Sequence, residues 1–297
     1  MIKNRLISAL ILNFALSWGF AGILKHFGVS FSGTAMVIIG IIYMFIPTLS
    51  LVILSKFFWK VSLKEWGIRK PKSKILFLAW AFPFILTLLT ILLSLLIPGT
   101  KFQPGMENII SRNASMLPPE AIAAMKSQVS SLGLLLPLII LIQAIIGGLT
   151  VNTIAAFGEE FFWRGFLLKQ FKKIGWLKSS LIIGSIWGLW HAPLILQGHN
   201  YPQHPIIGVF MMIIWCILLS FPIIYFTVKT KSVFTAAFFH GIINACGGMA
   251  ILWFAGSDLL IGVTGLAGFI SLLILNLILF IFNKKSSQKI DYLLNDY

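Results

Sequence analysis

Of the eight acidic residues in this chain of 297, only Glu159 and Glu160 stand inside an apolar run long enough to cross a membrane. A charge at the centre of such a helix costs roughly 2.5–3.5 kcal/mol on insertion scales. Two adjacent carboxylates also repel, so the pair needs a cation, a proton or a metal. Arg164 follows Glu160 by four residues, on the same helical face and in the favourable order, acid before base. It neutralises Glu160. Glu159, rotated by about 100°, is left to face another partner, on the side of Asn152. Carboxylates held in different environments can take different roles, one structural and one as an acid or base. His191 and His240 fall within two later apolar runs, and Asn244 follows His240 by one turn. A carboxylate with two imidazoles can activate water, relay protons or bind zinc.

The elements that position these residues follow from composition. Hydrophobic residues make up 58% of the chain, charged residues only 10%, and the mean hydropathy is +0.96. A soluble domain carries roughly 25% charged residues, so a soluble enzyme, a disordered chain, a coiled coil and a disulfide scaffold are excluded. A span needs about 20 mostly apolar residues. Runs at 6–24, 34–54, 75–97, 134–166, 179–196, 206–228, 233–254 and 259–282 give about eight spans. The hydropathy is continuous, without the alternation of a barrel, so the predicted fold is all-α, a polytopic transmembrane helix bundle. The first run is longer than a signal core and lacks a small-x-small cleavage site, so it reads as a retained span. Three parts are expected: 1–133 with three spans and an outer loop, 134–254 with the chemistry, and 255–297 with a last span and a basic tail.

The net charge of +15 comes from 23 Lys+Arg against 8 Asp+Glu. No soluble basic domain, stacking-aromatic motif or zinc-finger spacing accompanies it, so no nucleic-acid partner is expected. With both termini cytoplasmic, only Lys25, Lys101, Arg112 and Lys126 fall outside; the remaining basic residues lie in inner loops and tails. The expected location is the cell membrane, as a multi-pass integral membrane protein. Cys216 and Cys246 lie in apolar runs without CxxC spacing, so no disulfide or Cys-zinc site is expected.

Depth gives an independent argument for a shared site. At 1.5 Å per residue from the inner helix ends, Glu159 lies about 15 Å deep, His191 about 18 Å, and His240 about 11 Å, with Asn244 about 6 Å beyond. This slab predicts a site opening toward the cytoplasmic leaflet. Gly184 and Gly188 form a small-residue face that lets a neighbouring helix approach and aims His191 inward, with Trp187 shielding its ring from lipid. His26, His199 and His204 read as solvated loop residues. The basic loop 62–69, carrying Trp66, is expected along the inner membrane surface. The outer loop 98–133 holds Pro118-Pro119, an amphipathic stretch at 120–129 read as a re-entrant or surface helix, and an Asn113-Ala114-Ser115 sequon.

Glu159-Glu160-Phe-Phe-Trp-Arg164 fits EExxxR, Trp187-Gly-Leu-Trp-His191 stands where a pattern FxxxH would be, and His240-Gly-Ile-Ile-Asn244 fits HxxxN. In this order, over about 150–250, they resemble the CAAX-protease and bacteriocin-processing (CPBP) family of intramembrane endopeptidases, which includes type II prenyl-CaaX endopeptidases and relatives linked to bacteriocin self-immunity. Trp187 replaces a phenylalanine, a change expected to alter packing but not chemistry. The resemblance implies hydrolysis of a membrane-anchored peptide or protein. Glu159 would be general base on water, helped by His191. His240 and Asn244 would donate to the oxyanion, with Glu160 and Arg164 holding the local electrostatics. It implies no required cofactor; zinc through Glu159, His191 and His240 is the alternative. The rival readings are a proton-coupled transporter and a non-catalytic immunity or scaffold protein.

Overall fold

The computed structural model describes residues 2–29, 33–107, 110 and 119–297. Arg112, the Asn113 sequon and Pro118 lie outside the described residues. Three helices open the chain: α1 (Ile2–His26), α2 (Gly33–Ile53) and α3 (Leu76–Ser94). The outer loop then forms α4 (Pro119–Leu132), with no buried residue, bent by 107° onto α5 (Leu136–Leu149). α6 (Val151–Glu160) continues through a π-helical stretch, Phe161–Leu167, into the helical turn Leu168–Phe171. α7 (Trp176–Trp190), α8 (Pro205–Thr230), α9 (Val233–Cys246), α10 (Leu266–Lys285) and the short α11 (Ile290–Asn295) complete the bundle.

Among the described residues, six helices are long and apolar enough to cross a membrane, and seven if the bent α4–α5 pair counts as one span. The all-α membrane architecture is as hydropathy predicts, and the number is close to the expected eight. The difference lies in the fourth and fifth segments. The run 134–166 breaks at Thr150, whose φ of −117° and ψ of −100° are not helical. This leaves α5 with 14 residues, about 21 Å of helix. α7 stops at Trp190 after 15 residues. Polar residues and glycines interrupt both segments where the site is built.

Close backbone approach sets the packing. A Cβ on Gly184 or Gly188 would lie 2.4 Å from the Cα of Ile217 or Ile213 of α8, so the small face does admit a neighbouring helix, running antiparallel. On α6, a Cβ at Gly158 would lie 2.6 Å from the Met44 carbonyl, and Thr48 Oγ1 donates to the Gly158 carbonyl at 2.7 Å. α6 therefore packs closely on α2. α9 runs antiparallel to α6, with Gly241 against Thr153 and Phe234 stacked on Phe157 at 5.4 Å.

The bundle has two distinct ends. At one, Lys169 bonds the Glu65 carbonyl and Ser232 the Arg69 carbonyl. Lys172 Nζ donates to Asn295 O at 2.9 Å and Lys229 Nζ to Gln288 O at 2.7 Å. The basic loops that sequence assigns to one side of the membrane thus form one cluster in space. Trp66 departs from its expected position at the membrane surface. It is buried, donates to Ser55 Oγ at 3.4 Å and meets Phe166 edge-on. At the other end, Lys101–Phe102 pairs antiparallel with Phe254–Ala255. His204, expected to be solvated, instead pairs its Nδ1 with Asp258 Oδ1 at 2.6 Å, while Gln203 N donates to Asp258 Oδ2 at 2.7 Å.

Candidate active site

Glu160 and Arg164 form the foundation of the site. Arg164 Nη1 donates to Glu160 Oε1 at 2.8 Å and Nη2 to Ser220 Oγ at 2.9 Å, with all three residues fully buried. The i,i+4 pair expected from sequence is present, although Arg164 sits in the π-helical stretch. Such wide turns shift helical register and favour functional positions. Tyr297 Oη donates to the Arg164 carbonyl at 3.1 Å, fixing that backbone. His240 Nδ1 also bonds Glu160 Oε1, at 2.9 Å. Glu160 Oε2 and Arg164 Nε have no partner among the described residues.

Glu159 faces away from this pair, as the rotation between adjacent helical residues requires. It is 2% exposed. Both its hydrogen bonds come from indoles and fall on Oε2: Trp187 Nε1 at 2.6 Å and Trp163 Nε1 at 3.4 Å. Trp187 is therefore more than packing. Its ring lies 4.4 Å from the Arg164 guanidinium, 5.7 Å from the His191 ring and 5.3 Å from the His240 ring. A phenylalanine there would keep the shape and lose the donor, so the expectation that the replacement leaves chemistry untouched is corrected. The signal was present in sequence: an indole N–H within a membrane needs an acceptor.

His191 caps the C-terminus of α7. Its Nδ1 lies 2.9 Å from the Trp187 carbonyl. A carbonyl only accepts, so the proton sits on Nδ1 and Nε2 keeps its lone pair. Glu159, His191, His240 and Asn244 all line one cavity of about 420 Å³. The convergence expected from matched depth is present for these four, while Glu160 and Arg164 stand behind the wall. α2, from the N-terminal part, contributes Gly40, Tyr43 and Met44 to the lining. His199 also lines it. Read from sequence as a solvated loop residue, it is instead half-buried, and burial pushes its pKa from 6.5 down to about 4. The loop after α7 folds back over the cavity, which hydropathy does not report.

The lining runs from Glu159 and Trp187 to the exposed residues Val37, Val151, Asn200 and Asn244. These lie toward the end of the bundle away from the basic loops. As for zinc, no three His, Cys, Asp or Glu side chains converge to hold a metal ion among the described residues. Oε2 of Glu159 and Nδ1 of His191 and His240 bond protein partners, an arrangement that orients Nε2 in metal-bound histidines as well.

Residues 138–246 match the family described as Type II CAAX prenyl endopeptidase Rce1-like. A curated protein named CAAX prenyl protease 2, from Methanococcus maripaludis, is 31% identical over 101 residues, covering 31% of this chain and 36% of that protein. The match thus spans about a third of the relative's length. The matched stretch holds Glu159, Glu160, Arg164, His191, His240 and Asn244, and through it this membrane protein is similar to the Rce1-like type II CAAX prenyl endopeptidases.

Proposed function

We propose that the chain is an intramembrane endopeptidase of the cell membrane that hydrolyses an internal amide bond of a membrane-associated peptide. Water activated by Glu159 is the nucleophile. One observation carries this reading: a single cavity collects Glu159, His191, His240 and Asn244 from three helices, with the hydrogen bonds to the Glu159 carboxyl among the described residues falling on Oε2. The similarity to CAAX prenyl endopeptidases supports peptide hydrolysis.

The cavity residues support the following steps. Trp187 and Trp163 hold Oε2 and support the ionised form of Glu159, since hydrogen bonds to charged groups contribute about 1.5–3 kcal/mol. Oε1 takes a proton from water while the oxygen attacks the peptide carbonyl carbon. The unprotonated Nε2 of His191 orients that water. Negative charge develops on the carbonyl oxygen. His240 and the Asn244 amide are placed to donate to it. The Glu160 carboxylate on His240 Nδ1 orients the ring and balances positive charge arising there, and Arg164 keeps Glu160 in place. The C–N bond then breaks, and Glu159 returns its proton to the leaving amine.

The test is purified protein in liposomes containing membrane peptides, with products read by mass spectrometry. The expected result is paired fragments whose ends meet at an internal peptide bond, absent with Glu159→Gln. Proton-coupled flux without any cleavage would overturn the reading in favour of a transporter.

A further inference from the structure

We infer that Tyr297 is a positioning residue for the site. It clamps the backbone at Arg164, and through that arginine it holds the Glu160–His240 pair in the arrangement that hydrolysis uses. The effect on rate rests on the hydrolase reading; the clamp itself does not.

The clamp sits where the helix departs from α geometry. In the π-helical stretch Phe161–Leu167 the backbone bonds reach one residue further than in an α-helix: Leu168 N donates to the Trp163 carbonyl, five residues back. Tyr297 Oη donates to the next carbonyl, that of Arg164, at 3.1 Å. Tyr297 is buried, as is every residue of the stretch. A π-turn is wider than an α-turn, so relaxation of the stretch to α geometry would rotate Arg164 relative to Glu160. The bonds of Arg164 Nη1 to Glu160 Oε1 at 2.8 Å and of Nη2 to Ser220 Oγ at 2.9 Å would then be lost together. Glu160 Oε1 also bonds His240 Nδ1, so the ring that faces the cavity would lose its orientation with them.

The segment that carries Tyr297 also reaches the other two helices of the site. Ile290 and Leu294 of α11 are fully buried and seat it on the bundle. Asp291 Oδ1 accepts from Trp176 N at 2.6 Å. This satisfies an otherwise unpaired N–H in the first turn of α7, the helix that ends at His191. A Cβ at Gly67 would lie 2.6 Å from Tyr297 Oη. The Gly67 carbonyl accepts from Val233 N at 3.1 Å, and Val233 opens α9, the helix of His240 and Asn244. One segment thus registers the bases of the helices that supply Glu159, His191 and His240. None of its residues lines the cavity, so it acts through its partners and not on substrate.

The test compares full-length Tyr297→Phe with the parent protein in liposomes. Phenylalanine keeps the ring and removes only the donor. Hydrogen–deuterium exchange over 161–168 should quicken by at least about threefold, with exchange over α10 unchanged. Peptide cleavage should show kcat lowered by about 3–10-fold and KM within about twofold of the parent. Gly67→Ala, whose Cβ would displace the hydroxyl, should reproduce both effects. A purely structural role would lower the thermal midpoint and leave kcat per folded molecule at the parent value. Unchanged exchange over 161–168 overturns the clamp. Faster exchange with an unchanged kcat overturns the positioning role and leaves hydrolysis standing. Faster exchange beside a parent protein that cleaves no peptide defeats the hydrolase reading, and with it the kinetic half of the inference.

Discussion

Glu159 is held in a low-dielectric site by indole donors, and the two bonds are unequal. Trp187 donates at 2.6 Å and Trp163 at 3.4 Å. Trp187→Phe should therefore lower kcat by about 10–100-fold, the rate equivalent of one charge-assisted hydrogen bond, and Trp163→Phe by clearly less. Equal effects, or none at Trp187, would contradict this geometry. His199 gives a second residue-level prediction. Unfolded, it takes a proton near pH 6.5; folded, near 4. Between these values the unfolded state binds more protons, so stability falls as pH drops through the window and levels off below it. The thermal midpoint of detergent-solubilised protein should fall from pH 7.5 to pH 4.5, and His199→Gln should reduce that fall. The acids and both span histidines were legible in the sequence, because lipid penalises them and their presence demands a reason. Trp187 and His199 were not recognised. Hydropathy counts an indole as apolar and a loop as wet, and neither property reports which way a side chain turns.

α7 and α8 meet at their glycines. Gly188 has room for hydrogen alone, with the Ile213 Cα where a Cβ would have to go. Gly188→Val should push the helices apart, lowering stability by about 1–3 kcal/mol and displacing Trp187 and His191 from the cavity. Thermal unfolding and peptide cleavage should both decline; unchanged values would show that the contact is slack. This close face was readable from the Gly184–Gly188 spacing, as were the spans flanking the site. The break at Thr150 and the π-helical stretch Phe161–Leu167 were not. Apolar residues flank both, so the hydropathy trace averages over Gly147, Gly148, Thr150 and Arg164 and sees one long segment. Tertiary contacts hold the interrupted backbone, with Tyr297 bonded to the Arg164 carbonyl and Gly241 packed against Thr153.

At the scale of the whole molecule, the protein separates a basic, closed end from an open cavity, with the foundation Glu160–Arg164–Ser220 buried between them. The clustering of the basic residues in a few loops was legible in the sequence. The direction of the mouth required the packing of α2, α6 and α9. Because the proposed activation of water by Glu159 needs no metal, exhaustive chelation should leave the cleavage rate within about twofold of its starting value; loss of activity restored by added zinc would contradict this. The most direct measurement is the single-turnover cleavage rate of purified Glu159→Gln beside the parent protein, with thermal midpoints recorded on the same samples. The account predicts a loss of at least about 10³-fold in rate with an unchanged midpoint. A folded Glu159→Gln protein that cleaves at the parent rate would contradict it.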